Sequence, residues 1–454
     1  MTSTSIAWFR RDLRLRDNPA WAAACGADET VALVVIEPTL LDRAGPFRRN
    51  AYLGGLHALD RELAALGGRL RVEIGRPQEV VPRVGAECDA DEIHVNADVT
   101  RWSQRRDDAV DQAVSCPLRR HWGTLVQPPG SVLTKAGTLS RVFTPFYNAW
   151  SQVPVAPEAV APPSRVASAT SAGLPVVGDG AAPVDVATLL ARAADRSADY
   201  PTVRDLPGVE GTTELSIALR FGWVSAREVA RTLSDAGPGA DAVVRQLAWR
   251  DWYAHITLAR PDIDRLALRP EYDAIRWETG ADADRAFAAW TAGRTGYPIV
   301  DAGMRQLAET GWMHNRVRMI TASFLVKDLL IDWRRGERWF RHLLADGDIP
   351  QNAGNWQWVA GTGPDAAPYF RIFNPTAQSR RFDPEGDYIR RWVPELAGLS
   401  DRAIHEPAGV APLDLAAAGI TLGDDYPFPI VDHPAAREET LRVYKQALES
   451  ARDE

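Results

Sequence analysis

The segment NAGNWQW, residues 352 to 358, puts two indoles, Trp356 and Trp358, one residue apart in polar, glycine-containing surroundings. Tryptophan is bulky and its N–H needs a partner when buried, and the stretch is too irregular for a simple core strand. A second stretch, EGTTELS (210–216), gathers Thr212, Thr213 and Ser216 around a helix start. Hydroxyls and free backbone N–H groups there suit a phosphate. An ordinary N-cap, with Thr or Ser before the helix and Glu214 in its first turn, is the reading that segment favours on its own. In WMHNRVRM (312–319), a tryptophan, an amide and two arginines share one or two helical turns. Arg316 and Arg318 fall on roughly opposite faces, so one can point to solvent and the other inward. A buried arginine needs a carboxylate, and DGD (346–348) offers two. RRGERWFR (334–341) and QSRRF (378–382) interleave cations with aromatics, the pattern of a local nucleic-acid surface, although such charge runs are commonly just solvated faces.

The totals bound these readings. At 454 residues the chain is too long for one ordinary core, so two or three domains are expected. With 45% hydrophobic and 25% charged residues it has the composition of a globular protein. A net charge of -8 gives no global sign of nucleic-acid binding, so such a role requires a local basic patch. Cys25, Cys88 and Cys116 are odd in number and form no CxxC, which points to a reducing cytoplasmic setting. The histidines show no HExxH spacing, so no metal site is expected. The N-terminus has no apolar leader region, and no run is long enough to span a bilayer. Of 16 tryptophans, nine lie between Trp249 and Trp358, which directs attention to the C-terminal half.

These residues need elements to position them. Residues 1–150 alternate β-branched runs at 5–9, 31–37, 69–74 and 92–96 with helical spacing such as 47–66. That alternation predicts a doubly wound parallel α/β domain, though no G-x-G-x-x-G follows any strand. Residues 151–199 read as an interdomain connector, rich in Pro, Ala, Gly and Ser and without aromatics from 153 onward, with one helix over 185–196. From Tyr200 to 454 the pattern is almost wholly helical. Pro298 at a first turn and Gly311 as a stop frame one helix. Residues 318–333 keep apolar residues at helical spacing, and the C-terminal AAREETLRVYKQALESARDE reads as a charged, solvated helix.

Taken together, RDLPGVEGTTELS, QLAWRDWY, GRTGYPIVDAGMRQL, GWMHNRVRMITASFLVKDLLIDW, DGDIPQNAGNWQW and APYFRIFNPTAQ closely resemble the photolyase/cryptochrome family, and within it the photolyases of cyclobutane pyrimidine dimers. WFRRDLRLRDNPA resembles the opening of their N-terminal α/β domain. The resemblance spans nearly the whole chain except the connector.

It implies FAD folded over in a helical domain. Tyr200 and the loop Thr212, Thr213, Glu214, Leu215 and Ser216 would hold pyrophosphate and ribose. Asn315, Arg318, Asp346 and Asp348 would surround the flavin ring, Arg318 pairing with Asp346; Arg250 and Gly347 would also bind the cofactor, and Asn352 would sit beside flavin N5. Plant cryptochromes have an aspartate at that place, so Asn352 favours repair. Trp356, Trp333 and Trp277 would form an electron relay ending at the surface. Trp249 and Trp358 would wall a pocket for the flipped-out dimer, with Tyr253, Asn315 and Met319 on the lesion and Arg204, Arg316 and Gln378 on the strand. The partner implied is UV-damaged DNA, met by a cytoplasmic monomer with no obligate protein partner.

Two departures stand out. Gln246 occupies a place where dimer photolyases usually carry glutamate and photolyases of the (6-4) lesion commonly carry glutamine, yet Met319 stands where the (6-4) class has its catalytic histidine. In NADVTRWSQRRD (96–107), Trp102 and Ser103 replace the Asn-Glu pair of folate-binding members, so a deazaflavin antenna, or none, is expected in preference to methenyltetrahydrofolate. One rival is a cryptochrome-like photoreceptor, which would normally carry a long C-terminal extension and lose the lesion-stacking tryptophans; the other is a plain flavin electron carrier, for which DNA-facing Arg204, Arg316 and Gln378 would have no purpose.

Overall fold

The computed structural model describes residues 2–168, 172–177, 185–234, 236–365 and 368–453. Its sheet contains β1 (Thr4–Phe9), β2 (Glu29–Ile36), β3 (Arg71–Ile74), β4 (Glu92–Asn96), β5 (Leu118–His121) and β6 (Arg165–Val166), ordered β3-β2-β1-β4-β5 with β6 beside β2. All pairings are parallel. Successive residues of β1 point to opposite faces. Ala7 and Phe9 pack with Leu56, Leu59 and Leu63 of the helix Pro46–Ala65, while Ile6 and Trp8 meet Val80, Val81 and Val84 of the helix Pro77–Glu87. Both faces are therefore covered, which is why β1 and β2 read as continuous apolar runs rather than alternating ones. The strand order reverses at β1, as a doubly wound sheet requires.

Four strands lie at the expected runs, and two were not foreseen. β5 is an edge strand whose Arg119 and Arg120 face outward, so it carries no apolar signature. β6 lies inside the stretch expected to be connector and extends the sheet by two residues, with Arg165 N donating to Asp28 O and Ala167 N to Thr30 O. The connector helix Val186–Ser197 forms as expected, capped by the Asp185 carboxylate. Connector residues 169–171 and 178–184 lie outside the described residues.

Two compact units arise, and neither is one continuous block of chain. The first comprises Met1–Tyr200, Thr213–Pro261 and Ala345–Pro350; the second comprises Pro201–Thr212, Asp262–Leu344 and Gln351–Glu454. The first holds the sheet and the long helix Pro238–Ala259. The second is built of helices around a core that includes Met304, Leu307, Val317, Ile320, Phe324, Trp333, Phe340 and Trp356.

Within the second unit the helix Pro298–Thr310 begins and ends as its sequence dictates: Pro298 opens it, and Gly311 at φ +68° returns its N–H to Leu307 O. The apolar run 318–333 does not form one helix. The helix Asn315–Ser323 passes into a π-turn at Phe324–Asp328, and Leu330 turns the chain at φ +49°. The run is apolar because it is buried, and burial alone does not fix its helical register. The C-terminal helix His433–Asp453 is not solvated all round. Thr440, Val443, Tyr444 and Ala447 are buried along one face, with Tyr444 Oη donating to Ala360 O at 2.9 Å. Their i, i+3, i+4, i+7 spacing is masked by charges on the other faces.

Candidate active site

In the first unit, the helix Pro238–Ala259 carries Gln246, Trp249, Arg250 and Tyr253. Trp249 lies flat on Phe143 of the helix Phe143–Trp150, with ring centroids 3.7 Å apart and planes inclined by 11°. Its edge meets Trp252 at 5.2 Å and Tyr253 lies at 5.7 Å, so one indole face is covered and the ring is held. Gln246 Nε2 donates back to Ala242 O at 3.2 Å, and Arg250 donates to Thr124 O and Leu219 O.

Around the DGD segment, Arg11 Nη1 donates to Asp348 at 2.7 Å while its Nε meets Asp98 at 2.7 Å. Burial alone would lower the Arg11 pKa, but Asp98 and Asp348 outweigh it and the value is raised. For Arg220 and Arg250 burial prevails and lowers it. Arg220 Nε donates to Gly347 O at 2.8 Å, whereas its Nη1 is buried without a hydrogen-bond partner among the described residues. A buried guanidinium donor left open is costly unless an acceptor fills it. Such a cluster suits an anionic or acceptor-rich ligand.

The 210–216 segment does not form the expected capped helix start. The helix Ser216–Phe221 begins after Leu215, with no side-chain cap, and Glu214 stands outside its first turn at φ +56°. The Glu214 carboxylate instead meets Arg192 at 3.0 Å and Arg196 at 3.5 Å. Tyr200 is buried and Thr213 half-buried in this unit; Thr212 is half-buried in the other.

In the second unit, the helix Asn315–Ser323 is capped by His314, whose Nδ1 accepts from Arg316 N at 3.2 Å. Burial lowers the His314 pKa to about 4, so the ring stays neutral and keeps its accepting nitrogen. Arg316 meets Asp205 at 2.8 Å and lies 4.2 Å over the Phe382 ring. Two residues on, Arg318 Nε donates to Met313 O at 2.8 Å. Asn315 and Met319, one turn apart, face each other with Nδ2 3.9 Å from Sδ. Arg204 and Gln378 are half-buried, Gln378 on the helix Pro375–Phe382 capped by Asn374.

The NAGNWQW segment is helical, within Ile349–Ala360. Two residues on a helix are about 200° apart, so Trp356 and Trp358 point to nearly opposite sides; Trp356 is buried and Trp358 half-buried. Trp356 meets Phe340 edge-on at 5.0 Å and Trp290 at 6.3 Å. It also packs over Gly336, where a Cβ would come within 2.2 Å of its ring. Gly336 lies one turn beyond Trp333 on the helix Trp333–Leu343, so Trp356 packs on the turn that follows Trp333. Trp277, half-buried, packs on the same core cluster and meets Tyr444 edge-on at 6.2 Å. Between the two indoles, Gln357 is fully buried. Its Nε2 donates to Ile263 O and Leu266 O, and its Oε1 accepts from Leu268 N and Thr362 Oγ1. Asn352, also buried, donates its amide to Glu337.

Residues 5–164 match the family described as DNA photolyase, and residues 243–446 match the FAD binding domain of DNA photolyase. A deoxyribodipyrimidine photo-lyase of Streptomyces griseus is 42% identical, over 97% of this chain and 99% of its own length. The chain belongs to the DNA photolyase family. Among solved structures of this family, a bacterial class III photolyase from Agrobacterium tumefaciens superposes with a TM-score of 0.89 at 35% identity, covering 99% of this chain and 98% of that one. A Synechocystis cryptochrome gives 0.88 at 28% identity, covering 97% and 99%. Backbone likeness therefore does not separate photolyase from cryptochrome; the sequence relatives carry the photo-lyase name.

Several residues of this photolyase escaped the sequence reading. Arg11 and Arg220 sit in apolar or mixed stretches, and only the fold brings them to Asp348. Glu337 looked like one charge in a basic run, yet it is fully buried against Asn352. Phe143 and His314 carry no chemical signature of their own. Gln357 had a signal, a polar residue between two tryptophans, that pointed to burial with its hydrogen bonds satisfied.

Proposed function

We propose that this chain repairs cyclobutane pyrimidine dimers in UV-damaged DNA in a light-dependent reaction. The full-length likeness to proteins named deoxyribodipyrimidine photo-lyase carries the reading. FAD bound in the helical region supplies, when reduced and excited by blue light, the electron that splits the dimer and is then returned.

The residues present fit that cofactor. The Asn352 amide is fixed by Glu337, and the Arg220 Nη1 donor is open beside Gly347 and Asp348. Asn315, Arg318, Asp346, Asp348 and Asn352 would hold the flavin ring, with Asn352 at N5, and Arg250 and Gly347 would also bind the cofactor. Tyr200, Thr212, Thr213, Glu214, Leu215 and Ser216 would hold pyrophosphate and ribose. Trp356, Trp333 and Trp277 would carry an electron inward from the surface.

Trp249 and Trp358 would stack on the flipped-out dimer, with Gln246, Tyr253, Asn315 and Met319 on its edges. Flipping costs a few kcal/mol, less for an already damaged pair. Arg204, Arg316 and Gln378 would bind the strand, Arg316 by exchanging or sharing its hold on Asp205. In domain terms, 1–150 is an antenna-type domain, 151–199 a connector and 200–454 the catalytic domain. With Trp102 exposed under Arg106 and Ser103 tied to Thr100, a deazaflavin antenna is preferred to a folate. The protein acts as a monomer in the cytoplasm.

The test is repair of two oligonucleotides, one with a cis-syn thymine dimer and one with a (6-4) photoproduct, by reduced protein under blue light and in the dark. Restoration of the dimer strand only in light is expected. Restoration of the (6-4) strand alone would overturn the lesion assignment, and restoration of neither would favour the photoreceptor.

A further inference from the structure

Arg245 begins the face of the helix Pro238–Ala259 that carries Trp249 one turn later. Its guanidinium carbon lies 4.6 Å over the Tyr147 ring and 5.2 Å over Phe143. These two rings are themselves stacked, 5.9 Å apart, and Phe143 is the ring on which Trp249 lies. One aromatic platform from the helix Phe143–Trp150 thus supports both a cation and the indole.

Among the described residues no carboxylate pairs with Arg245, although arginines are held by carboxylates throughout this acidic chain, including Arg11, Arg71, Arg227 and Arg305. Cation–π contact holds a guanidinium by its face and leaves its in-plane N–H groups unused. That fork matches two oxygens of one phosphodiester.

We propose that Arg245 binds a DNA backbone phosphate flanking the lesion, a role that rests on Trp249 being a wall of the lesion pocket. With Phe143 on one face of Trp249, a base would have to stack on the other. A nucleotide stacked there brings its own phosphates to within a nucleotide's length of the indole. Arg245 then fixes the strand's register beside the pocket without reading its sequence. The bland alternative is that Arg245 only pins two helices together.

The two roles separate in a salt series. FAD-loaded wild type, Arg245→Ala, Arg245→Gln and Arg245→Lys are titrated with a duplex containing one cis-syn thymine dimer, and repair per absorbed photon is measured at saturating DNA. Loss of one phosphate contact should weaken binding roughly tenfold at low salt and reduce the slope of log K against log salt by about one. Arg245→Gln should behave as Arg245→Ala, and Arg245→Lys should retain the slope. Repair of saturated DNA should match wild type. A purely structural Arg245 would lower the melting temperature and leave the slope untouched, which would overturn the proposal. So would unchanged slope and affinity in Arg245→Gln, if Arg245→Ala does not fold. Wild type that neither binds nor repairs the dimer would overturn the repair reading together with this one. Wild type that repairs, beside variants with the wild-type slope, would overturn this one alone.

Discussion

Glu337 holds the side-chain amide of Asn352 in one orientation: Nδ2 donates to the Glu337 backbone oxygen at 2.9 Å and to its Oε1 at 3.0 Å. With both amide hydrogens committed, Oδ1 remains as the acceptor that Asn352 offers to a ligand. Burial raises the Glu337 pKa, and Arg341 and Asn352 counter it. Glu337→Leu should leave a buried donor unpaired, cost about 1–3 kcal/mol and reduce the FAD retained through gel filtration. Glu337→Gln keeps the acceptor and should retain FAD near the wild-type ratio. Equal FAD content in all three proteins would refute this positioning role.

Gly336 is the second sensitive point. Alanine normally favours a helix interior over glycine by about 1 kcal/mol, but here its Cβ would strike the Trp356 ring. Gly336→Ala is therefore expected to destabilise by about 1–3 kcal/mol, seen as a lowered midpoint in urea. It should also slow photoreduction of oxidised flavin. Trp356→Phe should slow that photoreduction at least as much, while chemically reduced protein still repairs the dimer. Undiminished photoreduction in Trp356→Phe would remove Trp356 from the relay.

His314 gives the helix that carries Asn315 and Arg318 a pH limit. Its folded pKa, about 4, lies below the ordinary histidine value of 6.5 because burial opposes the charge, with Arg318 and Arg316 adding to that effect and Asp205 opposing it. The unfolded chain then binds the extra proton, so the stabilising contribution is complete above pH 6.5 and is lost as pH falls toward 4. The loss amounts to about 3 kcal/mol. Asparagine can keep the cap without titrating. The stability difference between wild type and His314→Asn, from denaturation at several pH values, should therefore shift against wild type between pH 6.5 and 4. A flat difference would show that His314 is not the group concerned.

Gln246 makes a prediction about efficiency. Its amide bonds its own helix at Ala242 O, and it has no proton to give. Gln246→Glu should raise repair per absorbed photon for the thymine dimer with little change in melting temperature. A lowered yield would mean that the pocket is built around the amide.

The α/β half was legible where physics is local. β1 and β2 are apolar because helices cover both faces, and a run of that kind announces itself. β5 was hidden because an edge strand needs no apolar pattern, and β6 because two residues in a Pro-rich stretch carry none. The helix Pro298–Thr310 was readable to the residue, since Pro298 and Gly311 act through their own backbone. The run 318–333 was not, because its apolar stretches are compatible with several helical registers and its packing selects a π-turn at Phe324–Asp328.

The same division runs through the candidate site. Sequence by itself determined the family, through long ordered motifs, and with it the residue types that cofactor and lesion chemistry need, including Asn352, Trp356, Trp358 and the DGD carboxylates. Only the tertiary structure decided which partners fix them: Glu337 on Asn352, Gly336 beneath Trp356, Phe143 beneath Trp249, and Arg11 and Arg220 on Asp348 and Gly347. The physical reason is range. Turn chemistry, capping and periodicity act within a few residues and are written in order along the chain. Burial and hydrogen bonding join residues as far apart as Arg11 and Asp348, whose pairing no local pattern encodes.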